Sequence, residues 1–159
     1  MQSIKWLQWG LCLFFCVQSV LVLAQKTLPA YSFEDLNGKM VQLDQLPYKK
    51  YLSIVLYDPG CDHCQHEAES IAKSFKKFKK TRFVWITINT PATMLEFRDK
   101  YFTPEMSKDM VFLYDKQMLI LKKFDDFIET PTVLIYDKHK KLVAAPVKAL
   151  APDIYKYYK

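Results

Sequence analysis

Cysteine is scarce in this chain, and two of its four cysteines stand inside an N-terminal apolar segment. The other two, Cys61 and Cys64, enclose a loop too short to restrict the unfolded chain much, which excludes a disulfide-stapled scaffold. No second cluster of cysteine and histidine accompanies residues 61–66, so a metal-held fold lacks half of its ligands. Internal repeats, low-complexity tracts and a second-domain boundary are also missing. Half of the 159 residues are apolar, enough for one core and hardly for two. The net charge of +6 is modest. It suits acidic partners or lipid headgroups and gives no particular sign of nucleic acid.

Residues 1–24 are expected to be an export signal. Lys5 supplies a short positive region, Trp6 to Leu23 is mostly apolar, and Val22-Leu23-Ala24 offers a small residue at the cleavage point. The alternative is an uncleaved membrane tether through residues 6–24, since the apolar stretch is close to the shortest that crosses a bilayer. Lipidation at Cys12 or Cys16 is not expected, because Leu11 and Phe15 precede them where a lipoprotein signal has a small residue. The folded domain is then 25–159, in a periplasmic or otherwise exported setting.

Tyr31–Leu36 and Lys39–Leu43 flank Asn37-Gly38, a strong hairpin signal. Tyr51–Tyr57 is a short apolar, β-branched and aromatic run of the kind that fills a buried central strand, and Asp58-Pro59-Gly60 turns the chain after it. A helix follows, with Ala68, Ile71, Ala72, Phe75 and Phe78 on one face and a solvated row of lysines on the other. Arg82–Asn89 reads as a second buried strand, parallel to the first across that helix. Thr90-Pro91 starts a second helix running to about Tyr101, and Thr103-Pro104 is expected to stop it. Met110–Tyr114 forms a short strand, and Asp115 caps a brief helix carrying Leu119, Ile120 and Phe124. Val133–Tyr136 and Lys141–Ala145 make a closing hairpin, and Pro152-Asp153 opens a terminal helix with Ile154, Tyr157 and Tyr158 available for packing.

Cys61 and Cys64 fall in the first turn of the first helix, where unpaired N–H groups and the positive dipole end stabilise a thiolate. Cys61, nearest the terminus, is the expected nucleophile, and Cys64, one turn on, the resolving thiol. Zinc on Cys61, His63, Cys64 and His66 conflicts with helix geometry, since about 100° per residue turns His63 roughly 200° from Cys61. His63 favours the Cys61 thiolate through its N–H or charge, while Asp62 adds opposing negative charge. Glu67 follows Cys64 by three residues and shares its helix face.

This order of hairpin, strand, C-x-x-C at a helix start, strand, helix and Thr130-Pro131-Thr132 before a closing hairpin resembles the thioredoxin superfamily. Asn37-Gly38-Lys39 and the Cys61-x-x-Cys64-x-x-Glu67 pattern look like its TlpA/ResA branch of exported thiol-disulfide oxidoreductases. The resemblance implies an α/β thioredoxin-like fold, a central mixed sheet flanked by helices with an N-terminal β-hairpin. It implies a cis bond before Pro131, with Thr130 and Pro131 seating an extended substrate, and a proton-exchanging role for Glu67 beside Cys64. It implies no cofactor beyond the Cys61–Cys64 disulfide. Partners would be exported protein thiols and disulfides, with an upstream membrane or periplasmic electron donor, and the expected direction is reduction. Gly60 stands where the family usually has tryptophan, and Tyr57 is the nearest aromatic. Two other classes remain: a metal-delivery protein using the two thiols and a histidine, and a peroxidase, although peroxiredoxins place threonine where this chain has Asp58.

Overall fold

A computed structural model describes residues 27–123 and 129–158, so the export signal or tether read in residues 1–24 and the packing of Phe124 lie outside the described residues. Seven strands form one mixed sheet: β1 (Ser32–Asp35), β2 (Met40–Gln42), β3 (Tyr51–Leu56), β4 (Thr81–Thr87), β5 (Met110–Tyr114), β6 (Thr132–Asp137) and β7 (Leu142–Ala144). Their order is β2-β1-β5-β4-β3-β6-β7. The β3, β4 and β5 strands run parallel, and the β1–β2 and β6–β7 hairpins extend the sheet antiparallel on either side. Among the described residues, no helix is long and apolar enough to cross a membrane.

Alternation along β3 sorts the core into two layers. Tyr51 and Val55 face the layer built with Ala68, Ile71, Trp85, Phe97 and Ile154, while Leu52, Ile54 and Leu56 face one built with Leu28, Leu43 and Ile120. Every residue of β3 is buried, which is why the run is apolar on both faces. The asparagine–glycine hairpin forms as expected, with Gly38 at φ +75°, a left-handed conformation open to glycine without steric cost.

The helices are α1 (Asp62–Ser74), α2 (Pro91–Tyr101), α3 (Pro104–Ser107), α4 (Leu119–Lys123) and α5 (Ala151–Ile154). Thr90 caps α2 by accepting a hydrogen bond from the Thr93 N–H, with Pro91 at the first position. Thr103-Pro104 follows the end of α2, as expected, and adds a second function. It does not simply end a helix: Thr103 caps α3 in the same way as Thr90 caps α2. Threonine before proline is a start signal, and here the stop and the next start fall within three residues. The lysine face of α1 is exposed, while Ala72 and Phe75 on the opposite face are only half-buried; the chain then tightens into a 3-10 turn over Phe75–Phe78, which buries Phe78.

Candidate active site

The C-terminal end of β3 delivers the chain into the turn that places both thiols. The Asp58 carboxylate (Oδ1) accepts from the Gly60 N–H at 2.8 Å and lies 3.4 Å from the Asn89 amide, so Asp58 is a turn-holding residue, as its sequence context indicates. Its carbonyl accepts from the Cys61 N–H at 3.1 Å. Cys61 is therefore the N-cap of α1, in extended conformation, and Cys64 is the third residue of the helix. Gln65 braces the turn by donating to the Pro59 carbonyl at 3.1 Å, and Tyr101 on α2 donates to the Gln65 side-chain oxygen at 2.8 Å.

The two sulfurs differ in exposure and chemistry. Cys61 is partly exposed and Cys64 fully buried, and both are free thiols. Partial burial works against the Cys61 thiolate, but hydrogen bonds from the Cys64 N–H and thiol, the Thr130 side chain and the His63 N–H together outweigh it. Its pKa ends below the ordinary thiol value. Burial pushes Cys64 up to about 12, against a hydrogen bond from the Asp58 N–H at 3.4 Å. The thiolate is favoured at one sulfur and disfavoured at the other.

The Thr130–Pro131 bond is cis, as the resemblance implies, and Pro131 is buried while Thr130 is half-buried. The Cys61 thiol lies 3.7 Å from the Thr130 carbonyl, to which it donates. The cis-proline loop and the C-x-x-C turn, distant in sequence, thus meet at the Cys61 sulfur. Glu67 is fully buried, and neither of its carboxylate oxygens has a hydrogen-bond partner among the described residues. Burial, then the nearby Asp153, raises its pKa to about 8. Asp62 and His63 are exposed at the start of the helix, and His63 reaches Cys61 through its backbone N–H. Among the described residues, no group of three or more metal-ligating side chains converges.

Sequence reasoning missed Lys148. Its N–H donates to the Pro131 carbonyl at 2.7 Å, and its ammonium group pairs with Glu129 at 2.8 Å, across the base of the cis-proline loop. That ion pair, with a further contribution from Cys61, raises the Lys148 pKa. No periodicity or motif in the loop after β7 marks this lysine. Only the fold brings it to the thiol.

A partly exposed, thiolate-favouring cysteine capping a helix, a buried partner one turn on and a cis-proline loop against them define a thioredoxin-like oxidoreductase. The family model described as AhpC/TSA matches residues 24–145, and the chain belongs to that family. Among solved structures, a thioredoxin-like protein from Aeropyrum pernix matches with a TM-score of 0.68 and 13% identity, covering 94% of this chain and 98% of that one. A secreted disulfide oxidoreductase from Mycobacterium tuberculosis matches with a TM-score of 0.59 and 19% identity, covering 72% and 81%. The peroxidoxin BcpB from the same organism matches with a TM-score of 0.63 and 16% identity, covering 82% and 91%. A comparison with curated proteins finds no match.

Proposed function

We propose that the protein is an exported thiol-disulfide oxidoreductase of the TlpA/ResA kind, acting as a reductase on exported protein disulfides. The observation that carries this reading is the contrast between Cys61, whose thiolate is favoured, and Cys64, buried and held protonated. In the reducing direction the Cys61 thiolate attacks one sulfur of a client disulfide. A mixed disulfide forms, and the client's other sulfur leaves as a thiolate that takes up a proton. Cys64 then loses its proton and attacks Cys61, which releases the client's second thiol and leaves the Cys61–Cys64 disulfide. An upstream dithiol donor restores the reduced pair. Because Cys64 starts near pKa 12, the second step needs a proton acceptor; Glu67, three residues on along the same helix and itself near 8, takes that role only in its ionised form, so the step is expected to quicken as pH rises toward 8. The secreted oxidoreductase among the structural neighbours supports the disulfide reading, as does the cis-proline loop at Cys61.

The test is reduction of a model protein disulfide with dithiothreitol as donor. Cys61→Ser is expected to abolish catalysed turnover, and Cys64→Ser to accumulate the mixed disulfide. Turnover unchanged in Cys61→Ser ends the proposal. The peroxidoxin neighbour supports a second reading, peroxide reduction at Cys61. Asp58 at the position of the peroxiredoxin threonine weighs against it, and the rate of Cys61 thiol loss with hydrogen peroxide separates the two.

A further inference from the structure

The end of the sheet opposite the thiols concentrates positive charge that the redox chemistry does not use. Lys49 precedes β3, Lys79 and Lys80 precede β4, Arg82 is the second residue of β4, and Lys76 lies in the turn after α1. These five cations border an open hollow of about 630 Å³ whose one acidic side chain is Asp109. A second hollow of about 630 Å³ lies beyond the same end of β3, among Lys138, His139 and Lys156. Its acid, Asp137, is committed to the hairpin turn, where it accepts from the His139 N–H at 2.8 Å and the Lys141 N–H at 3.0 Å. Two further acids, Asp44 and Glu105, lie near lysines, 3.9 Å from Lys140 and 3.3 Å from Lys108. Tyr48 and Phe75 line the first hollow and Tyr157 the second, so rings are interleaved with the cations.

The chain enters the fold at this same end. Leu28 donates to the Lys140 carbonyl at 2.9 Å, and Thr27 bridges Lys141. The sequence ahead of Thr27 includes the apolar run of residues 6–23. A basic surface with interleaved aromatic side chains, next to the point where an apolar segment joins, has the chemistry of a bilayer interface. Each lysine near an anionic leaflet is attracted to it, and tyrosine and phenylalanine sit well among headgroups.

We propose that this pole rests on the anionic headgroups of a phospholipid bilayer, with the redox end directed away from the surface. Six residues of β3, at about 3.3 Å each, set the two ends roughly 20 Å apart, so clients reach Cys61 without crossing the headgroup layer. That consequence rests on the redox reading of Cys61; the docking itself does not.

The test uses the full chain reconstituted in phosphatidylcholine vesicles and in mixed phosphatidylcholine–phosphatidylglycerol vesicles. Acylation of each lysine by a membrane-impermeant amine reagent is followed by mass spectrometry. Lys49, Lys76, Lys79 and Lys80 are expected to react about threefold or more slowly on the mixed vesicles. Lys116, beyond the C-terminal end of β5, reacts alike on both. Salt at about 1 M, where screening falls to about 3 Å, removes the protection. Replacing those four lysines by glutamine exposes Lys138 and Lys156 on the mixed vesicles while disulfide reduction in solution is unchanged. Equal reactivity on both vesicles, protection that survives salt, or equal protection of Lys116 overturns the proposal. Protection by an added acidic protein where phosphatidylglycerol gives none also overturns it, and assigns the pole to a protein partner. The labelling does not depend on the thiols, so its result is independent of whether Cys61 reduces disulfides.

Discussion

Glu67 stands three residues beyond Cys64 with both carboxylate oxygens buried and unpartnered, and its environment keeps it protonated up to about pH 8. In the unfolded chain the same group titrates near 4.3. Between those values the native state holds a proton that the unfolded state has released, so stability falls as pH rises through this window and levels off above the folded pKa. At about 1.36 kcal/mol per pKa unit, the loss attributable to Glu67 approaches about 5 kcal/mol by the top of the window. Glu67→Gln, neutral in both states, is expected to abolish that fall, seen as a flatter profile of unfolding free energy in urea from about pH 5 to pH 8. An identical slope in the variant and the parent protein would show that the carboxyl is ionised in the fold. At this scale the thiol pair was legible, because two cysteines at a strand-to-helix junction define their own chemistry. The burial of Glu67 was legible only in part. Its helix face follows from spacing, but the depth of that face depends on Asp153 and α5 packing over it. Lys148 was not legible at all, since its position depends on how the last loop folds back onto Pro131.

Short polar signals in the sequence define the elements. Thr90 and Thr103 each cap a helix that begins with proline, and Asp115 accepts from the Leu119 and Ile120 N–H groups at 2.8 and 2.9 Å with its two carboxylate oxygens. Asp115 is itself buried, so its removal leaves one buried and one half-buried donor unsatisfied. Asp115→Ala is expected to cost about 2 kcal/mol, at the upper end for a helix cap, by denaturant titration. A loss within about 0.5 kcal/mol would mean that water replaces the carboxylate. The second threonine–proline pair does follow the end of α2, and it also starts α3, which spacing alone did not reveal. Threonine before proline specifies only that a helix starts there, and whether another precedes it is decided by the length of α2.

Across the whole molecule, β3 and β4 are the middle of the sheet, each paired on both edges and covered on both faces, while β2 and β7 are short edge strands. Amide hydrogen exchange is expected to be slowest at Ile54, Val55, Val84 and Trp85 and fastest among the strands at Met40–Gln42 and Leu142–Ala144, because outer pairs open without unfolding the centre. Uniform protection across all seven strands would show that the sheet opens only as a unit.

What the sequence by itself determined is local. Alternation, apolar runs, caps and turn residues place strands and helices because backbone preference and side-chain spacing act over a few residues, and the C-x-x-C motif carries its chemistry within one helical turn. Tertiary structure alone decided the sheet order, with β5 between β4 and β1. It also decided the meeting of Thr130 with Cys61, the isolation of Glu67, and the gathering of lysines from four separate segments at one pole. Those contacts join residues far apart along the chain, and no short-range preference encodes them. They follow from burying two apolar layers on opposite faces of one sheet.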